Sequence, residues 1–99
     1  MREQFLAAAA AYSSRPAEVA GMRVLIRPVP LRVMTRVRQR LHEGDEAGVA
    51  RETIKGCLLD PEGNAMFTDD DDDIINEWPA EFVQTLLDAI TPMEDEPGN

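Results

Sequence analysis

The chain has 99 residues, of which 43% are hydrophobic, 29% charged and 5% aromatic, with a mean hydropathy of −0.32. That length suits one small domain, and the balance is globular rather than disordered, with a core to be drawn from Leu, Ile, Val, Met and Ala. The formal net charge of −9 repels phosphate on average and argues against nucleic-acid binding through the surface as a whole.

Residues 2–12 are strong helix formers, with Phe5, Ala8, Ala9 and Tyr12 on one face. The apolar stretch is short and nearly all alanine, and Glu3 stands where a secretion signal would be positive, so it reads as a helix of the mature protein. "SSRP" breaks that helix, because Pro16 biases Arg15 away from the α region. In "GMRVLIRPVP", Met22, Val24 and Ile26 alternate with Arg23, Leu25 and Arg27, the period of a half-exposed strand. Pro28 and Pro30 end it and place it near a sheet edge.

"PLRVMTRVRQRL" reads as a helix opened by Pro30. Val33, Met34, Val37 and Leu41 form its apolar stripe, Arg32, Arg36 and Arg40 lie on another face, and Gly44 stops it. "DEAGVARETIKGCLL" places Ala47, Ala50, Ile54, Cys57 and Leu58 at helical spacing, with Asp45 as N-cap. Gly48 and Gly56 weaken that helix by about 1 kcal/mol each relative to alanine. "DPEGN" is a turn, since Pro61 presets φ and Gly63 permits a positive one. "AMF" at 65–67 reads as a short strand able to pair with 22–27. "PAEFVQTLLDAI" is the last strong helix, with Phe82, Val83, Leu86, Leu87 and Ile90 in a continuous stripe.

These elements predict an α+β fold, mostly helical, with four to five helices packed on a small two-stranded β-ribbon. Residues 1–92 form a single domain in this reading, and 93–99 a flexible acidic tail. Cys57 is the one cysteine, so no intrachain disulfide forms and a reducing, cytoplasmic setting is expected. No apolar run is long enough to span a bilayer.

The net charge hides a division. All ten basic residues lie between Arg2 and Lys55 beside six acids, giving 10 − 6 = +4, whereas from Asp60 onward thirteen acids stand without a base. The five aspartates Asp69 to Asp73 raise the question of a metal site. Counting a calcium loop from Asp60 puts Ala65 where glycine is required, and counting from Asp69 puts Ile74 and Ile75 inside the loop. No metal site or cofactor is expected. A helix start fits better: Thr68 and Asp71 stand at N-cap and N3, and first-turn carboxylates face the positive end of the helix dipole. Ile74, Ile75 and Trp78 then bury one face, and Pro79 ends this helix and opens the next. Capping accounts for one or two aspartates and leaves the others unexplained.

No catalytic constellation is present. His42 closes the arginine-bearing helix, where a cation suits the helix dipole, and Cys57 belongs to the core. The arginines Arg32, Arg36, Arg38 and Arg40 admit two readings: a solvated face paired with the acidic half of the chain, or a nucleic-acid helix. The first is favoured, because no aromatic residue interleaves them.

In order, the chain offers Arg27-Pro28 at the strand end and a "D-x-x-G-x-x-x-F-T-D" turn from Asp60 to Asp69. A short acidic helix and the junction Trp78-Pro79-Ala80 follow, leading into the closing helix. Over roughly residues 18–91 this order resembles the tail assembly chaperones of long-tailed bacteriophages and related prophages. The resemblance implies a non-enzymatic protein of the bacterial host cytoplasm that binds and solubilises the tape measure protein. It also implies recruitment of tail tube protein and absence from the finished particle. Such a chaperone needs apolar grooves for helical clients, and Val33, Met34, Val37, Trp78, Phe82 and Leu86 are the candidates to supply one. Part of the closing-helix surface is then spare and binds client or a second copy. The alternative is a small acidic adaptor that mimics nucleic acid and binds a basic partner through Asp69 to Asp73 and the tail.

Overall fold

The computed structural model describes residues 1–91. The expected tail at 93–99 lies outside the described residues. Helix α1 spans Arg2–Ala10, followed by strands β1 (Arg15–Val19) and β2 (Met22–Ile26), then helices α2 (Leu31–His42) and α3 (Glu46–Cys57). Strand β3 (Leu58–Leu59), helix α4 (Asp72–Asn76) entered through a 3₁₀ turn at Asp69–Asp71, and helix α5 (Ala80–Ile90) complete the order. The α+β, mostly helical class holds, with five α-helices among the described residues.

The sheet differs from the expected ribbon. It has three antiparallel strands in the order β1-β2-β3, so β2 is central rather than near an edge. Its partners are β1, with Ala17 opposite Val24, and β3, with Ile26 opposite Leu58. The 65–67 segment contributes only a single bridge, Ala65 to Leu59. Pro28 and Pro30 restrict nothing in β2, because they lie beyond its last paired residue. Pro16, by contrast, sits within β1, which tolerates it as an edge strand. Ala20 and Gly21 close the hairpin with φ of 54° and 79°, the doubly positive turn whose twist suits a two-residue connection.

The core forms where the inward faces of the sheet meet α3 and α5. Val19, Val24 and Ile26 contribute from the strands, Ile54 and Cys57 from α3, and Leu86 and Ile90 from α5. Ile54 and Cys57 are fully enclosed; an aliphatic side chain buried to that degree contributes roughly 1.5–3 kcal/mol. Arg27 ties the sheet to the end of α3: its backbone N–H donates to the Cys57 carbonyl at 3.0 Å and its Nε to that of Gly56 at 2.6 Å. A cation placed there also satisfies the negative end of the α3 dipole.

Helices α2 and α3 form an antiparallel pair turned at Gly44, which adopts φ +72°. Asp45 caps α3 as expected, its Oδ1 accepting from Gly48 N–H at 2.9 Å. Gly56 is more than a weak point in α3. A Cβ built on it would lie 2.5 Å from Val33 Cγ1 and 2.6 Å from Cγ2, so the bare backbone is what admits Val33.

Helix α1 stands apart. The face shared by Phe5, Ala8 and Ala9 is exposed: no residue of α1 is buried, and Phe5 is 69% exposed. The helix also ends before Tyr12, which is exposed.

Candidate functional site: an apolar groove beside an ionic cluster

The "D-x-x-G-x-x-x-F-T-D" turn builds two neighbouring features. Asp60 Oδ1 accepts from the backbone N–H groups of Glu62 and Asn64, both at 2.9 Å, and Gly63 turns the chain at φ +91°. The segment then returns past the sheet and delivers Phe67 against Trp78. Trp78 stands edge-on between Phe67 and Phe82, with both centroid separations 5.3 Å and both interplanar angles 79°. This is the favourable T-shaped geometry for aromatic pairs. Pro79, as N-cap, fixes the start of α5 so that Phe82 follows Trp78 along one wall.

Opposite that wall lies the turn end of the hairpin. Val19, Met22, Val24 and Leu58 form the floor, and Met66 closes one end, leaving an apolar groove of about 330 Å³. Met22 is 56% exposed at its lip. Residues of the sheet and of α5 line it together.

The six candidate residues divide between two places. Trp78, Phe82 and Leu86 line the groove. Val33, Met34 and Val37 do not: Val33 is buried against Gly56, and the other two are half-buried along α2. Leu86 is also a core residue, 4% exposed, so it supports the groove from beneath. Val19, Met22, Val24, Leu58, Met66 and Phe67 also line the groove and are not among the candidates. The alternation Met22-Val24-Ile26 marks which strand residues face inward, but the hairpin partner that sets the groove's width is not visible in it.

The second feature answers the question of the aspartates. Thr68 and Asp71 make the expected capping box, with Asp71 Oδ2 accepting from Thr68 N–H at 2.8 Å. Of the short helix, Ile75 is buried and Trp78 half-buried, whereas Ile74 is 58% exposed. Asp69 and Asp72 do something else. The ammonium of Lys55, whose side chain is 7% exposed, lies 2.8 Å from Asp69 Oδ1 and 2.8 Å from Asp72 Oδ1. Buried Glu52 sits 3.8 Å from the same ammonium and is approached by Arg36 at 3.5 Å and Arg40 at 3.3 Å. Arg36 also reaches Asp69, and Arg51 reaches Asp72. The basic α2–α3 pair and the acidic run thus neutralise one another in one cluster beside the groove. Two of the four arginines of α2, Arg32 and Arg38, form no ion pair among the described residues. A nucleic-acid helix would lose half of its arginines to this cluster, and an acidic mimic would lose Asp69 and Asp72.

Burial opposes the charge on Lys55, but the facing carboxylates outweigh it and raise its pKa above the ordinary 10.5. The hydrogen bond from Lys55, and then its charge, hold Asp69 below the ordinary 3.8. The signs follow. The raised lysine contributes stability that is complete below 10.5 and lost as the pH rises through its folded value. The depressed carboxylate contributes stability that is complete above 3.8 and lost as the pH falls through its folded value. Urea midpoints are therefore expected to plateau between these limits and fall at both ends, with Asp69→Asn flattening the acid limb. An acid limb unchanged by that substitution would remove Asp69 from the account.

Cys57 is enclosed, and burial pushes its thiol pKa up, against the nearby charge of Arg27. Among the described residues no group of three or more His, Cys, Asp or Glu side chains could hold a metal ion. No helix among them is long and apolar enough to cross a membrane.

By architecture, then, the described chain is a small α+β protein that carries an apolar groove with an aromatic wall. No protein-family profile and no curated protein matches its sequence. Its fold is similar to that in the structure of the bacteriophage HK97 tail assembly chaperone. The TM-score is 0.62 and the sequence identity 16%, and the match covers 96% of this chain and 98% of that one. The chain thus has a fold like that of a phage tail assembly chaperone over nearly its whole length.

Proposed function

We propose that this protein is a non-enzymatic tail assembly chaperone of a long-tailed phage or prophage. In this reading it acts in the host cytoplasm, binds the tape measure protein and keeps it soluble. It helps to recruit tail tube subunits and is absent from the finished virion. The observation that carries the reading is the open groove walled by Trp78 and Phe82 on a fold of this kind. A long helical client exposes apolar stripes, and an aromatic groove of about 330 Å³ accepts one or two anchor side chains of such a stripe. The net charge of −9 suits a protein that must keep an apolar client in solution.

The test is co-expression with a phage tape measure protein, followed by capture of the complex. Capture is expected, with more tape measure protein in the soluble fraction than in its absence. Met22→Glu, which puts a carboxylate at the groove lip without touching the core, is expected to lower recovery of the client at least severalfold. Recovery unchanged by that substitution would move the client site away from the groove. No capture by the unaltered chain would remove the chaperone reading.

A further inference from the structure

The segment 66–78 faces two ways. On one side Met66, Phe67 and Trp78 line the apolar groove. On the other, Asp69 and Asp72 meet Lys55, and Asn76 accepts from Arg51 Nη1 at 2.6 Å. Its ends are tied by the bridge from Ala65 to Leu59 and by Pro79 at the start of α5. Of its side chains only Ile75 is buried, whereas Met66, Phe67 and Trp78 are half-buried. Apolar packing on a single buried anchor leaves a segment free to shift and turn locally. Two contacts to one fixed cation remove that freedom. We infer that Lys55 is a positioning residue of the groove: from behind the segment it fixes where Phe67 and Trp78 stand as the aromatic wall.

The cation is itself held in place. Lys55 follows Ile54 and precedes Cys57 by two residues, and both of these are fully enclosed in the core. Its side chain is 7% exposed, and Glu52, one turn earlier on α3, lies 3.8 Å from its ammonium. The grip has two points, since Asp69 Oδ1 and Asp72 Oδ1 each lie 2.8 Å from that ammonium. Each carboxylate governs one ring. Asp69 comes two residues after Phe67, joined to it through the capping box of Thr68 and Asp71. Asp72 stands one helical turn before Ile75, whose carbonyl accepts from Trp78 N–H at 3.1 Å. The edge-on contact of the two rings, 5.3 Å and 79°, therefore depends on both ion pairs. The sheet floor at Val19, Val24 and Leu58 does not, because it belongs to separate strands.

Lys55 does not line the groove and would touch no occupant; it acts through Phe67 and Trp78. A wall set in this way keeps a binding surface in one shape, as a site held by supporting contacts behind it requires. For what the groove binds, the inference rests on the chaperone reading. For the position of the wall it does not.

Trp78 is the only tryptophan, so acrylamide quenching of its emission reads the wall, and amide hydrogen exchange reads the segment against the core. The wild type is compared with Lys55→Met and with the triple variant Lys55→Met, Asp69→Asn, Asp72→Asn. Lys55→Met is expected to raise the quenching constant about twofold, as local opening exposes a half-buried ring. The triple variant is expected to regain most of the lost melting temperature yet keep the raised quenching and rapid exchange over 66–78, while amides of 54–57 stay protected. Neutralising the carboxylates removes their repulsion but restores no grip. The triple variant alone decides if Lys55→Met melts too low to study. Wild-type quenching or wild-type exchange over 66–78 in the triple variant would overturn the proposal, since a purely structural contribution recovers together with stability. So would exchange that quickens equally over 54–57, or wild-type quenching in Lys55→Met. None of these measurements uses a client, so failure to capture a tape measure protein removes the chaperone reading and leaves the role of Lys55 standing.

Discussion

Replacing Lys55 with alanine is expected to lower the melting temperature by about 10–20 °C. The substitution leaves Asp69 and Asp72 facing each other across a position 2.8 Å from each, inside a run of five aspartates. It also removes one of the three cations around buried Glu52, from which it lies 3.8 Å. Hydrogen bonds and pairs with charged groups contribute about 1.5–3 kcal/mol each when one member is desolvated. Asp69 is 68% exposed and rehydrates readily, which holds the total to about 2–3 kcal/mol. For a domain of this size each kcal/mol corresponds to about 4–8 °C. The mechanism is checked by reversing it: Lys55→Met combined with Asp69→Asn and Asp72→Asn removes the cation and both carboxylates and should recover most of the loss. Glu52 keeps Arg36 and Arg40 in that variant. A thermal melt showing a loss below about 0.5 kcal/mol for Lys55→Ala would mean that the cluster behaves as an ordinary surface ion pair.

The second large effect is steric. Gly56→Ala improves intrinsic helix propensity by about 1 kcal/mol, so on local grounds it should stabilise. Packing decides otherwise. The new methyl would sit 2.5 Å and 2.6 Å from the two Val33 methyl groups, well inside the 3.5–4.0 Å at which carbon atoms attract. Overpacking of this kind costs about 1–3 kcal/mol, leaving an expected net loss of up to about 2 kcal/mol. Val33→Ala destabilises the wild type by opening a cavity but should partly rescue Gly56→Ala, because it removes both clashing methyls. Chemical denaturation of the four variants gives the coupling directly. Additive losses, or a Gly56→Ala protein more stable than wild type, would show that α2 and α3 have room to separate.

Much of the local structure was legible because it rests on local chemistry. Asp45 caps α3, Gly44 takes the left-handed turn, Asp60 and Gly63 build the loop, and Thr68 with Asp71 forms the capping box. In each the partners lie within four residues of one another. The hairpin is hidden in the sequence because "RPAEV" carries a proline and a glutamate that mask its strand character, and Ala20-Gly21 lacks the Asn-Gly or Asp-Gly signal of a two-residue turn. In the sequence Leu58 stands at helical spacing after Ile54. The chain extends instead as soon as it passes Cys57, where Ile26 and Leu25 pair with Leu58 and Leu59. The site divides in the same way. Trp78, Phe82 and Leu86 announce themselves by spacing within one segment, whereas Val19, Met22 and Val24 join them only through the sheet. Lys55 could be read as basic but not as the counter-ion of Asp69, fourteen residues away. Gly56 could be read as a weak helix residue but not as the place where Val33 fits.

The uneven charge of the chain has a consequence for ionic strength. At about 0.1 M salt, fields between exposed charges fade over roughly 10 Å. Added salt therefore loosens the exposed side of the cluster at Asp69 and Arg36, which are 68% and 56% exposed. The same screening acts between molecules with the opposite result. Two copies each bearing −9 repel as they approach, and salt removes that barrier while strengthening apolar contact little. Low ionic strength thus favours a tight fold and separated copies, and high ionic strength a looser fold and easier contact between copies.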